Sequence, residues 1–139
     1  MIPDALLNGG CLCGAVRYRC GAPAHPPAFC HCTSCRRAAG AHAVAWFTVA
    51  ASSLQFTHGQ PAIYRSSPPV QRAFCARCGT QLTYRHQDSP DEVDLTVGSL
   101  DEPDRVTPAV HIWMMDAPRW DRPGDALPCY PRSRHPDAA

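Results

Sequence analysis

The sequence predicts an all-β fold, built of short strands joined by many turns and stapled by zinc, and three observations predict it. Fifteen prolines and nine glycines in 139 residues break long helices and favour turns. Between these breakers lie short runs rich in β-branched and aromatic residues, such as Val44 to Val49 (Val-Ala-Trp-Phe-Thr-Val). Seven of the nine cysteines fall into three tight groups: Cys11 and Cys13; Cys30, Cys32 and Cys35; Cys75 and Cys78.

With 45% hydrophobic residues, the chain 1–139 can build one domain with a modest core and is too short for two. Its 13 Lys and Arg against 12 Asp and Glu give a formal charge of +1, which supplies no broad field to draw nucleic acid or an anionic membrane. Met1 to Asn8 has no basic region and no apolar run long enough for a signal peptide, and no later stretch is apolar enough to span a bilayer. A soluble, cytoplasmic protein is expected. The odd cysteine count and the Cys-x-Cys spacing argue against a disulfide scaffold.

In chain order, the glycines around Cys11-Leu12-Cys13 suit a tight metal-binding turn, a knuckle. Val16, Tyr18 and Cys20 then alternate with Arg17 and Arg19, the period of a half-buried strand. Prolines 23, 26 and 27 make 21–28 a loop that delivers Phe29-Cys30. Thr33-Ser34 suits the cap of a short helix through Arg36, Arg37 and Ala38, with Gly40 as its stop. That helix places Cys35 in its first turn, where the helix N-terminus and two cations favour thiolate.

Strands are expected at Val44 to Val49 and Leu54 to Thr57, with Trp46 and Phe56 in the core, then at Ala62 to Arg65 and Val70 to Phe74 around a loop at 66–69. Thr80 to Tyr84 and Val93 to Val97 should be sheet neighbours across a polar hairpin. From Asp116 the chain reads as a Pro-rich tail whose last ten or so residues are poorly ordered. Cys20 reads as a small buried apolar side chain and Cys129 as an incidental thiol.

Thiolate is a soft anionic ligand, and a structural zinc takes four in a tetrahedron. The two pairs, Cys11, Cys13, Cys75 and Cys78, complete one such site. Cys30, Cys32 and Cys35 supply three ligands and leave a fourth position for water or substrate, the arrangement of a catalytic zinc. Two zinc ions per chain follow. Four thiolates also suit a rubredoxin-like iron, which is the chemical alternative. His31, between two ligands, is expected to support the site rather than touch the metal, and His111 to be structural. No residue pattern names a general acid or base.

Four stretches together resemble one family. They are Gly10 to Tyr18 (Gly-Cys-Leu-Cys-Gly-Ala-Val-Arg-Tyr), Cys30 to Arg36 (Cys-His-Cys-Thr-Ser-Cys-Arg), Phe74 to Leu82 (Phe-Cys-Ala-Arg-Cys-Gly-Thr-Gln-Leu), and His111-Ile112-Trp113 with Trp120. In order and spacing, over roughly residues 8–122, they are similar to the glutathione-dependent formaldehyde-activating enzymes, whose domain is related to that of centromere protein V. The resemblance implies several short, coiled antiparallel sheets, an architecture shared with a Rab-exchange-factor chaperone. It also implies a structural zinc on Cys11, Cys13, Cys75 and Cys78 and a catalytic zinc on Cys30, Cys32 and Cys35. The implied activity is a carbon–sulfur lyase reaction on a glutathione-like thiol–aldehyde adduct such as S-(hydroxymethyl)glutathione. Arg36, Arg37, Arg72 and Arg77, beside the cysteine motifs, are placed to meet the carboxylates of such a substrate. The competing class is a non-catalytic zinc-stapled module that binds nucleic acid or protein, against which the near-neutral charge weighs.

Overall fold

The computed structural model describes residues 6–134. It is mainly β, with ten strands and one α-helix among the described residues. The strands are β1 (Leu7–Gly10), β2 (Arg17–Cys20), β3 (Ala28–Cys30), β4 (Val44–Ala50), β5 (Gln55–His58), β6 (Ala62–Ser67), β7 (Val70–Phe74), β8 (Gln81–His86), β9 (Glu92–Thr96) and β10 (Val110–Ile112), and the helix is α1 (Thr33–Ala39).

Two open sheets form: a three-stranded one, β1-β2-β5, and a seven-stranded one, β10-β3-β4-β9-β8-β7-β6. Every pairing is antiparallel except β10 with β3, which runs parallel. The expected neighbours β8 and β9 do pair, with Tyr84 opposite Asp94. The expected loop at 66–69 is tighter than its prolines suggest. β6 runs on to Ser67, which pairs with Val70, so the turn is reduced to Pro68 and Pro69. Both lack an N–H and sit where none is needed.

The main core lies between the sheets. Leu7, Tyr18 and Cys20 from the smaller sheet meet Phe47, Val49, Val93 and Leu95 from the larger. Cys20 is fully buried there, its thiol pushed up to about 11 by desolvation, which fits its reading as an apolar side chain. Phe56 packs partly buried against the same core.

Strand β4 works on both faces because side chains alternate along a strand. Phe47 and Val49 enter the main core, whereas Val44 and Trp46 pack against Cys30 and Cys35 in a second cluster. Trp46 is thus buried, in the smaller of the two cores.

Two short strands, β1 and β3, lie outside the stretches where the sequence predicts strands. β1 is Leu-Asn-Gly-Gly, a poor strand former by composition, held by pairing with β2. β3 completes the parallel pair that carries Cys30 opposite Ile112.

The C-terminal segment is ordered by strand-like pairing. His111 N–H donates to Pro128 C=O at 2.8 Å, Tyr130 N–H to His111 C=O at 2.9 Å, and Trp113 N–H to Arg132 C=O at 2.9 Å. Of the ten or so residues expected to be poorly ordered, Tyr130, Pro131 and Arg132 hydrogen-bond to the segment from His111 to Met115, Arg134 Nη1 donates to Pro26 C=O, and 135–139 lie outside the described residues. No described helix is long and apolar enough to cross a membrane.

Candidate metal centres and the adjoining cavity

Two knuckles build the first cysteine cluster. Cys11 follows β1, and Cys75 follows β7. In each, the first cysteine donates its N–H across the turn, Cys11 to Val16 C=O at 3.0 Å and Cys75 to Thr80 C=O at 2.9 Å. Each turn contains a glycine with positive φ, 82° at Gly14 and 83° at Gly79, a conformation that a Cβ disfavours.

Backbone amides then point at sulfur. Val16 N–H reaches Cys11 Sγ at 3.2 Å, and the N–H groups of Arg77 and Cys78 reach Cys75 Sγ at 3.4 Å each. Such donors favour the thiolate. Thr80 ties the knuckles together, because its Oγ1 accepts from Leu12 N–H at 3.0 Å and donates to Cys78 Sγ at 3.2 Å. That hydroxyl is the main reason the Cys78 thiol is held down at about 5.

The four sulfurs lie within 4.8 Å of one another. Cys13 Sγ is 3.7 Å from Cys11 Sγ and 3.8 Å from Cys75 Sγ. A tetrahedron with metal–sulfur bonds of about 2.3 Å has edges of about 3.8 Å, so these edges fit a thiolate-bound ion. The cluster also joins the end of the small sheet to the β7–β8 hairpin of the large one.

The triplet is local. Cys30 ends β3, and Cys32 is the N-cap of α1, its Sγ accepting from Cys35 N–H at 3.2 Å. The cap therefore falls one residue before the expected Thr33-Ser34, and sulfur does what a hydroxyl usually does. Gly40, left-handed at φ 64°, ends the helix as expected. The three sulfurs also lie within 4.8 Å of one another. Like charges so close compete for one proton set: hydrogen bonds from Cys30 and Cys35 hold the Cys32 thiol well below its ordinary value, while Cys32 and Cys35 push Cys30 far up. Ionising all three sulfurs requires a cation among them, which is the donor set of a metal ion.

A cavity of about 520 Å³ opens against the triplet. Trp46, Ile112 and Trp113 give it apolar walls. Trp113 is held in a left-handed conformation (φ 59°, ψ 36°), an outlier for a bulky residue, at the turn that carries it into this wall.

A polar row crosses four strands on the cavity side. Arg72 on β7 stands opposite Tyr84 on β8, Tyr84 opposite Asp94 on β9, and Asp94 opposite Thr48 on β4. All four line the cavity. Thr48 Oγ1 donates to Asp94 Oδ1 at 2.6 Å, but burial outweighs that bond and pushes the Asp94 carboxyl above its usual range.

Behind the triplet runs a chain of four titratable side chains. Asp121 Oδ2 lies 2.6 Å from His31 Nδ1, His31 Nε2 lies 2.8 Å from His111 Nδ1, and His111 Nε2 lies 2.8 Å from Asp125 Oδ2. Phe29 stacks on the His111 ring at 4.8 Å between centroids. Both His31 nitrogens are therefore engaged away from the sulfurs, and the histidine orients the loop that carries Cys30 and Cys32. His111 takes part in the same network.

The four arginines separate. Arg72 is buried in the cavity wall, while Arg37 and Arg77 are exposed and Arg36 is half-buried outside the cavity lining. Cys129 is exposed and belongs to neither cluster.

The model of the glutathione-dependent formaldehyde-activating enzymes matches residues 6–116. A Halomonas elongata protein, provisionally named a glutathione-dependent formaldehyde-activating enzyme, is 32% identical over 125 residues, covering 83% of this chain and 79% of its own. The chain belongs to the glutathione-dependent formaldehyde-activating enzyme family. A solved Rhodobacter sphaeroides protein has a similar fold, with a TM-score of 0.59 and 25% identity over 68% of this chain and 88% of that one.

Several residues around this family site escape sequence reasoning. Asp121 and Asp125 lie beyond the matched span, in what reads as a Pro-rich tail, and Asp121 reaches His31 across 90 residues. Asp94 and Thr48 sit in ordinary strands. The adjacency of Asp121 to Trp120, a motif residue, is the one signal that could have drawn attention to the tail.

Proposed function

We propose that this protein is a zinc-dependent carbon–sulfur lyase that makes and breaks thiol–aldehyde adducts of the S-(hydroxymethyl)glutathione type. The observation that carries this reading is the placement of the cysteine triplet, three donors rather than four, against a ligand-sized cavity. Cys11, Cys13, Cys75 and Cys78 are the proposed structural ligands; Cys30, Cys32 and Cys35 are the proposed ligands of the catalytic ion. A zinc ion on three thiolates supplies Lewis acidity and no redox chemistry.

The chain's own residues do the rest. The apolar walls from Trp46, Ile112 and Trp113 exclude water and hold the thiol and the aldehyde together, which converts a bimolecular encounter into a local one. In the cleavage direction the adduct's hydroxyl loses its proton, the oxygen's electron pair forms the carbonyl, and the carbon–sulfur bond leaves its pair on sulfur as thiolate. Asp94 is the proposed acceptor of that proton, and in the reverse direction its donor, because it lines the cavity and burial pushes its carboxyl above the usual range. Thr48 orients the carboxylate through Oδ1.

The test is NMR exchange of hemithioacetals formed from a panel of small thiols with formaldehyde and other aldehydes. At least one pair should exchange faster with the zinc-loaded protein, and Cys32→Ser should abolish the acceleration. Exchange at the spontaneous rate across the whole panel, with both metals present, would refute the lyase reading.

A further inference from the structure

Arg72 is 7% exposed, yet no described acceptor reaches its Nη1 and no described carboxylate pairs with it. The guanidinium is nevertheless held in place at its other end. Its Nε donates to Ser66 Oγ at 3.1 Å, and its central carbon stands 5.1 Å from the centre of the Tyr84 ring. Folding thus fixes a cation at the cavity wall and leaves its Nη1–Nη2 end without a protein partner among the described residues. A buried charged donor in that state is costly, and in natural structures such groups are completed by solvent, an ion or a ligand. The guanidinium also lies near the reaction centre, since Arg72 lines the same cavity as Cys30, Cys32 and Cys35. Arg134, the cavity's other arginine, already spends Nη1 on Pro26 C=O at 2.6 Å.

We infer that the Nη1–Nη2 end of Arg72 is an oxyanion subsite, holding an anionic oxygen of the substrate beside the cysteine triplet. This inference rests on reading the cavity as the thiol–aldehyde site. The anionic oxygen comes either from a carboxylate carried by the thiol or from the adduct itself. In the second case, when the thiolate pair forms the carbon–sulfur bond, the carbonyl's second pair moves to oxygen, and the resulting anion then takes a proton. A planar guanidinium suits either oxygen, and its two existing anchors remove the entropy of positioning it.

Two measurements on zinc-loaded protein separate the sources. In the first, the fluorescence of Trp46 and Trp113, which line the cavity, reports titration with mercaptoacetate and with 2-mercaptoethanol. A carboxylate source predicts roughly ten- to hundredfold tighter binding of mercaptoacetate, lost in Arg72→Gln while 2-mercaptoethanol binds as before. In the second, exchange of formaldehyde with 2-mercaptoethanol is followed by NMR. An adduct source predicts a maximal rate lower by a similar factor in Arg72→Gln, with the half-saturating thiol concentration unchanged. Arg72→Lys, which keeps the charge but not the planar edge, serves both arms if the glutamine variant does not fold and should show a smaller loss of the same kind. Equal thiol preference and equal rates in parent and variant overturn the inference. If the parent accelerates no exchange but shows a carboxylate preference that Arg72→Gln loses, the lyase reading falls and the subsite stands.

Discussion

Cys13 Sγ and Cys75 Sγ lie 3.8 Å apart, although 62 residues separate them along the chain. An ion on this cluster closes a long loop and locks the small sheet to the large one, whereas an ion on Cys30, Cys32 and Cys35 closes only a short segment. Loop-closure entropy grows with the residues enclosed, so the first site should matter far more to folding. Cys75→Ser should lower the melting midpoint by ~10 °C or more, and Cys32→Ser should leave a folded chain. A Cys75→Ser melt that matches the parent would contradict the assignment.

The donor sets also predict metal content. Elemental analysis of the isolated protein should give two zinc ions per chain, and graded chelation should remove the triplet's ion first because it has one fewer protein ligand. Absorption in the visible would instead identify iron on the four-thiolate cluster. One metal in fully loaded protein would rule out the division into four and three.

His31 and Asp121 have side chains only 1% and 6% exposed, so the short bond between them is shielded from water. Removing one partner strands the other. Asp121→Ala should cost about 2–4 kcal/mol by chemical denaturation and loosen the segment carrying Cys30 and Cys32. An unchanged denaturation midpoint, together with an unchanged zinc affinity at the triplet, would show that the contact supports neither the fold nor the site.

Asp94 gives a pH dependence whose sign follows from its raised folded value. Because burial disfavours its charge, the folded state holds this proton more tightly than the unfolded chain does. Stability therefore falls as pH rises from the ordinary carboxylate value of 3.8 through the raised one, and the deficit persists above it. Asp94→Asn still offers an oxygen to Thr48 and removes the deficit. Its melting temperature, relative to the parent in zinc-replete buffer, should rise with pH through that window and then level off. A difference that shrinks as pH rises would refute the account of Asp94, while loss of exchange activity in the same variant would support its role as proton acceptor.

By itself the sequence determined the β class, most strands, the Gly40 stop of the helix and the partition of seven cysteines into four and three. These are local properties. Prolines and glycines exclude long helices, alternation exposes a strand's two faces, and Cys-x-Cys or Cys-x-x-Cys places sulfurs on one turn whatever surrounds it. Only the tertiary structure decided what stands around those sulfurs. The row from Arg72 through Tyr84 and Asp94 to Thr48 exists because four strands fall into one register, and register depends on pairing across the sheet rather than on any one strand's composition. β1 forms from Leu-Asn-Gly-Gly for the same reason. The chain from Asp121 through His31 and His111 to Asp125 joins segments up to 90 residues apart, and no spacing rule operates over that distance. Local chemistry placed the candidate metal ligands, whereas long-range packing decided which buried charges face them.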